Sequence, residues 1–237
     1  MDFRRILICL LLILGINPLA AQSLSVEDGK TNIDEKNDVD AWVTTLDQDV
    51  AFCMDSYESF MKETFKVKVY KQSKGLLMAE KFAIAEISVL RIDQRAAFTL
   101  FSGGTTVTFT FSPGYDIHFN PKQYKAEFAK AGAFVKNYVR YHYKTFYDEQ
   151  IKSLQNKIDS RHRDIESNGR KADKIDKAIA QNKSDDETDK TKAKSEKMLR
   201  ENESYTADTA TKRKEISDLE DQLSKANEAL RKALAFK

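Results

Sequence analysis

Cysteine is scarce in this chain, at two among 237 residues, and so are proline at three, histidine at three and tryptophan at one. Cys9 lies inside the N-terminal apolar run, which leaves Cys53 alone downstream and excludes an intramolecular disulfide framework. Charge of one sign is also missing: 39 Lys and Arg against 37 Asp and Glu give a formal net charge of +2. Phosphate binding needs a concentrated excess of Lys and Arg, so nucleic acid is not an expected partner. Long apolar runs are absent past the N-terminus. The one run, Ile6 to Ile16, is about half of the ~20 residues that a membrane-spanning helix needs, so no transmembrane segment is expected in the mature chain.

Catalytic signatures are missing as well. No serine sits in a Gly-x-Ser-x-Gly elbow, and the Gly103-Gly104 pair lacks the lysine and following helix of a phosphate loop. Cys53 falls on an apolar stripe with helical spacing, Trp42, Leu46, Val50, Cys53, Tyr57 and Phe60, which favours a buried structural thiol over a nucleophile. Asp116 and His118 are two apart on a predicted strand, as a metal pair would be. Zinc needs three or four ligands and no other His or Cys has ligand spacing, so no metal, cofactor or catalytic residue is assigned and no enzyme activity is expected.

What is present begins with Arg4 and Arg5, the apolar run, then small residues up to Ala20 and Ala21, which together read as a secretory signal peptide cleaved after Ala21. The expected location is periplasmic or secreted, in a bacterium by the form of the signal. Residues 22–37 are polar and read as a flexible leader. A helix is predicted from Val39 to Thr64. Beyond Lys66 the period changes to two: KVKVYKQ, GLLMAEKFAIAEISVLRI and RAAFTLF read as strands. After the Ser102-Gly103-Gly104 turn, Val107, Phe109 and Phe111 point to one face, with Thr106, Thr108 and Thr110 on the wet one. Pro113-Gly114 forms another turn, and Tyr115 to Phe119 a last short strand. Asn120-Pro121-Lys122-Gln123 starts a helix whose apolar stripe is Tyr124, Phe128, Ala131, Val135, Tyr138 and His142. The body, 38–147, is thus an α+β unit, an antiparallel sheet of four or five strands packed by two helices in two layers.

From 148 to 237 the composition turns to charge with heptad spacing. Ile151, Ile158, Ile165, Ala172 and Ile179 occupy first positions, and Leu154, Arg161, Asn168, Ile175 and Asn182 fourth positions. After the polar break KSDDETDKT the pattern resumes with Met198, Tyr205, Lys212, Leu219, Ala226 and Ala233 at fourth positions, and Asn202, Thr209, Ile216, Leu223 and Leu230 at first positions. Folding back near residue 187 makes an antiparallel coiled-coil hairpin that sets Ile158 near Ile216, Arg161 near Lys212 and Asn168 near Tyr205. The middle of the seam is therefore polar and unsatisfied, which implies a wet, flexible arm, or one whose missing partners another chain supplies.

Candidate contact residues are therefore Thr106, Thr108, Thr110, Tyr115, Asp116 and His118 on the body, and Arg161, Asn168, Tyr205 and Lys212 on the arm. Signal peptide, small β-containing body and charged helical hairpin resemble, in architecture, the periplasmic Skp/OmpH chaperones. In that family the hairpin is inserted within the body and the chain is basic, whereas here the hairpin is terminal and the charge balanced. The resemblance implies a holdase as an alternative to an adaptor that binds a protein partner, or itself, through the arm. A carrier of a small ligand, with a cavity lined by Phe98, Phe109 and Tyr138, is the third reading.

Overall fold

The computed structural model describes residues 24–32, 38–114, 117–182 and 189–237. The predicted signal peptide lies outside them. Two compact units divide the described chain, the first running to His142 together with Phe236–Lys237, the second being Tyr143–Ala235.

Six strands and the first helix build the first unit: β1 Glu27–Asn32, β2 Asp38–Leu46, α1 Val50–Phe65, β3 Tyr70–Ser73, β4 Leu76–Phe82, β5 Ile92–Phe101 and β6 Gly104–Ser112. They form one sheet of order β1-β2-β6-β5-β4-β3, and every neighbouring pair is antiparallel. The second helix of the chain, α2 Lys125–Asn182, begins in this unit and continues into the next. The α+β class is as expected; the strand count is higher by one or two.

Both extra strands come from the N-terminal part. Residues 38–46, expected as the start of a helix, are β2, and the helix begins only at Val50, where Asp49 accepts the Phe52 N–H at 2.8 Å. The stripe misleads because a step of four, Trp42 to Leu46 to Val50, is close to one helical turn and is also even, so a strand satisfies it equally. Val39, Val43, Thr44 and Thr45 are β-branched and settle the matter toward strand. Within the polar leader, Glu27–Asn32 pairs with β2 from Glu27↔Val43 to Asn32↔Asp38. This edge strand is held by main-chain bonds and needs no apolar alternation. Nearby, Thr44 donates to the Ser25 carbonyl at 2.7 Å.

Other boundaries follow local chemistry. Lys66 adopts the left-handed conformation at φ 59° and ends α1, its N–H bonding Met61 O. The long run from Gly75 divides into β4, a loop that buries Ile84 and Ile87, and β5. Gly104, at φ +138°, brings β6 so near β2 that a Cβ would lie 2.1 Å from the Leu46 carbonyl oxygen. Of the strand expected at 115–119, Tyr115 and Asp116 lie outside the described residues, and Ile117 makes one isolated bridge to Gly114. Asn120 Oδ1 accepts from Lys122 N and Gln123 N at 3.1 and 2.8 Å and so closes the turn at 121–124, while the helix expected to start at Pro121 begins only at Lys125.

The core lies between one face of the sheet and the helices. Tyr57 of α1 is its centre, with ring centroids 5.2 Å from Tyr138, 5.6 Å from Phe109 and 6.0 Å from Phe98. Its hydroxyl donates to Gln94 Oε1, and the Tyr138 hydroxyl donates to the Cys53 carbonyl at 2.9 Å. Phe128, Ala131, Val135, Tyr138 and His142 of the predicted stripe are all buried.

In the second unit, α2 and α3 Asp189–Leu234 form the antiparallel hairpin. Ile158, Asn168, Ile179, Ile216, Ala226 and Ala233 are buried, each at a predicted first or fourth position. No helix among the described residues is long and apolar enough to cross a membrane.

Candidate interaction surface

On the body, the sheet face opposite the helices carries the expected threonines. Val107, Phe109 and Phe111 turn into the core, while Thr106 and Thr108 are half-buried on the far face. Thr110 departs from its neighbours at 4% exposure. It stands opposite Arg95 on β5. Thr110 is therefore not part of an accessible surface. Thr45 and Thr99 both pair with Thr106, so three threonines form one row across β2, β6 and β5. Tyr115 and Asp116 lie outside the described residues. His118 is half-buried beside the helix start, where its carbonyl accepts from the Asn120 amide at 3.1 Å. Among the described residues, no three His, Cys, Asp or Glu side chains gather as metal ligands would.

The arm residues come together, with different partners from those expected. Arg161 reaches Glu215 at 2.5 Å and Asp164 at 3.4 Å. Asn168 donates to Asp208 at 2.7 Å, and Lys212 donates to the other oxygen of that carboxylate at 3.0 Å. Both donors hold the Asp208 carboxyl below its ordinary pKa. Tyr205 receives the Lys171 ammonium over its ring at 5.2 Å and donates to Glu201 at 3.2 Å. Asn202 donates to Asp176 at 2.6 Å. The predicted unsatisfied seam is thus corrected: its polar middle is closed by residues of the same hairpin. The heptad positions are filled as predicted, but the partners sit beside the seam, one helical turn beyond the expected neighbours. Core positions alone do not reveal them.

Sequence reasoning also missed a polar centre in the body. The His142 ring is completely buried, with Nδ1 2.9 Å from Ser56 Oγ and Nε2 2.6 Å from Gln48 Oε1. Gln48 Oε1 can only accept, so Nε2 carries the proton and Ser56 donates to Nδ1. Burial pushes the imidazole pKa down to about 3, which keeps it neutral. A serine donating to an imidazole is the opening geometry of nucleophilic catalysis, yet Ser56 is 4% exposed and Gln48 supplies no carboxylate. The triad is chemistry enclosed within packing, where it joins α1, its preceding loop and α2. Its one sequence signal is the place of His142 on the apolar stripe. Cys53 is also wholly buried, and burial raises its thiol pKa to about 12, as a structural cysteine requires.

Comparison with protein-family models, with curated proteins and with solved structures finds no match to this chain.

Proposed function

We propose that this is an exported, non-enzymatic interaction or structural protein of a bacterial cell envelope, which binds a protein partner or a second copy through its C-terminal hairpin. The observation that carries the reading is the self-contained seam of α2 and α3. Two helical segments of some 40 residues, at ~1.5 Å each, make a rod about 60 Å long. Apolar first and fourth positions are spent inside it, and Arg161, Asn168, Asp208, Lys212 and Glu215 satisfy one another. The rod therefore persists as a helical element whose outward sides are charged. A partner meets those sides and does not complete the seam.

This arrangement weighs against the two alternatives. Apart from Leu199 and Leu234, large apolar side chains of the described arm are buried or half-buried along the seam, which leaves no broad exposed apolar patch for unfolded clients of a holdase. In the body, Phe98, Phe109 and Tyr138 are packed on Tyr57, in the space a small ligand would need.

The test is affinity capture from the envelope of the producing cell, comparing residues 22–237 with a chain ending at Tyr147. The expected result is one or two proteins recovered with the arm and absent without it. Many unrelated unfolded proteins would identify a chaperone, and equal recovery by both chains would move the binding function to the body.

A further inference from the structure

Among the described residues the sheet is open at both sides, since β1 and β3 each have one neighbour. The two edges carry opposite charge. On β1 Glu27 and Asp28 are exposed, and β2 behind it adds Asp38 and Asp40, with Lys30 as the local cation. Around β3 Lys68, Lys71 and Lys74 are exposed, and none is in an ion pair among the described residues.

Strand directions alternate across all six strands, and six is even. A second copy set beside the first in the same orientation therefore brings its β1 antiparallel to β3 and keeps its helices on the same face. The registers take the match further. Asp28 pairs with Trp42, Trp42 with Phe109, Phe109 with Ala96, Ala96 with Leu77 and Leu77 with Lys71. Asp28 and Lys71 are thus the two ends of one cross-strand row. Continuing that row into the next copy sets carboxylate against ammonium. It also sets Gly29, which has no side chain, opposite Tyr70, whose ring is 40% exposed.

Lysines on an edge strand ordinarily guard it against pairing with a like edge. Here they still repel β3 from β3, while favouring the acidic edge of β1. We propose that a second copy of this chain adds edge to edge, β1 against β3, and extends the sheet by strand addition. The two surfaces differ, so the contact is heterologous and repeats without closing, giving an open ribbon rather than a dimer. This association uses no residue of the arm and stands apart from the arm's proposed role.

Sedimentation velocity of the mature chain over a range of concentrations tests it. At low salt the sedimentation coefficient should rise with concentration, and 1 M salt, with a screening length of about 3 Å, should suppress the rise. Lys68→Glu with Lys71→Glu and Lys74→Glu should weaken association by about tenfold or more, and so should Glu27→Lys with Asp28→Lys. An equimolar mixture of the two variants should associate again, because each then offers the other a complementary edge. That recovery separates an edge contact from misfolding, since damaged sheets would not regain it. A single-copy mass at every concentration and salt, association indifferent to both reversals, or a mixture that stays dissociated would overturn the proposal.

Discussion

Ser56 of α1 and His142 of α2 share a hydrogen bond of 2.9 Å in the closed interior of the body, and the opposite ring nitrogen of His142 binds Gln48 at 2.6 Å. A neutral imidazole satisfies both contacts; an imidazolium would be a buried charge facing a hydroxyl and an amide. The His142 ring also meets Phe52 edge-on at 5.4 Å and Tyr138 at 5.9 Å, neither of which offers a counter-charge.

The body should therefore lose stability in mild acid. His142 titrates at about 3 in the folded state against an ordinary 6.5, so above 6.5 both states are neutral and the residue adds no pH dependence. As pH falls below 6.5 the unfolded chain takes up a proton that the native chain refuses, and stability drops by up to about 1.4 kcal/mol per unit until pH nears 3. Urea unfolding at pH 7 and pH 5 measures the slope. His142→Gln should flatten it relative to the parent, and equal slopes in both proteins would assign the acid sensitivity to carboxylates instead.

Cys53 should be silent toward thiol reagents in the native protein. It is fully enclosed, and a thiol whose pKa is raised to about 12 holds almost no thiolate at neutral pH. Labelling with an aromatic disulfide reagent should proceed only at the rate of unfolding and become complete in denaturant. Rapid native labelling, or a disulfide-linked pair of chains, would contradict the assignment of Cys53 to the core.

The degree to which these features could be read in advance follows from how local their causes are. The helical hairpin of 148–237 and the alternation of Val107, Phe109 and Phe111 arise from residues a few positions apart, and both emerged as expected. β1 did not, because an edge strand of polar residues owes its form to its pairing with β2. The helix expected at 39–49 failed on an ambiguity of period, since a four-residue step serves both strand and helix. Ser56, Gln48 and His142 meet over separations of 86 and 94 residues, and only the folded chain brings them together. On the arm, Arg161 and Asn168 were identified as seam residues, while their acidic partners stood just off the predicted stripe.

Gly132→Ala offers a test in which two effects compete. Alanine is the better helix former by about 1 kcal/mol, and Gly132 lies inside α2. A Cβ there would lie 2.6 Å from the Trp42 ring, which is stacked on Phe128 at 4.9 Å and donates to the Phe128 carbonyl at 2.8 Å. The clash should win, with a net loss of about 1–3 kcal/mol in chemical denaturation and an altered tryptophan emission. A stabilised protein would mean that Trp42 moves aside at little cost.

Asn168 tests what the polar middle of the hairpin is for. At 7% exposure it is enclosed in the seam, and its amide is a donor to Asp208. Asn168→Ala should cost about 1 kcal/mol by removing that bond and leaving a gap between α2 and α3. Asn168→Leu should act differently: an apolar residue at a fourth position raises the helical melting temperature, while the layer that fixes pairing near Asp208 is lost. Helical hairpins freed from a polar register pair with each other as readily as with themselves. The leucine variant should therefore melt at a higher temperature by circular dichroism and form additional oligomers in sedimentation equilibrium. If it stays in the parent's oligomeric state while gaining stability, Asn168 contributes solubility of the seam and no specificity, and the register is set by Arg161 and Glu215 alone.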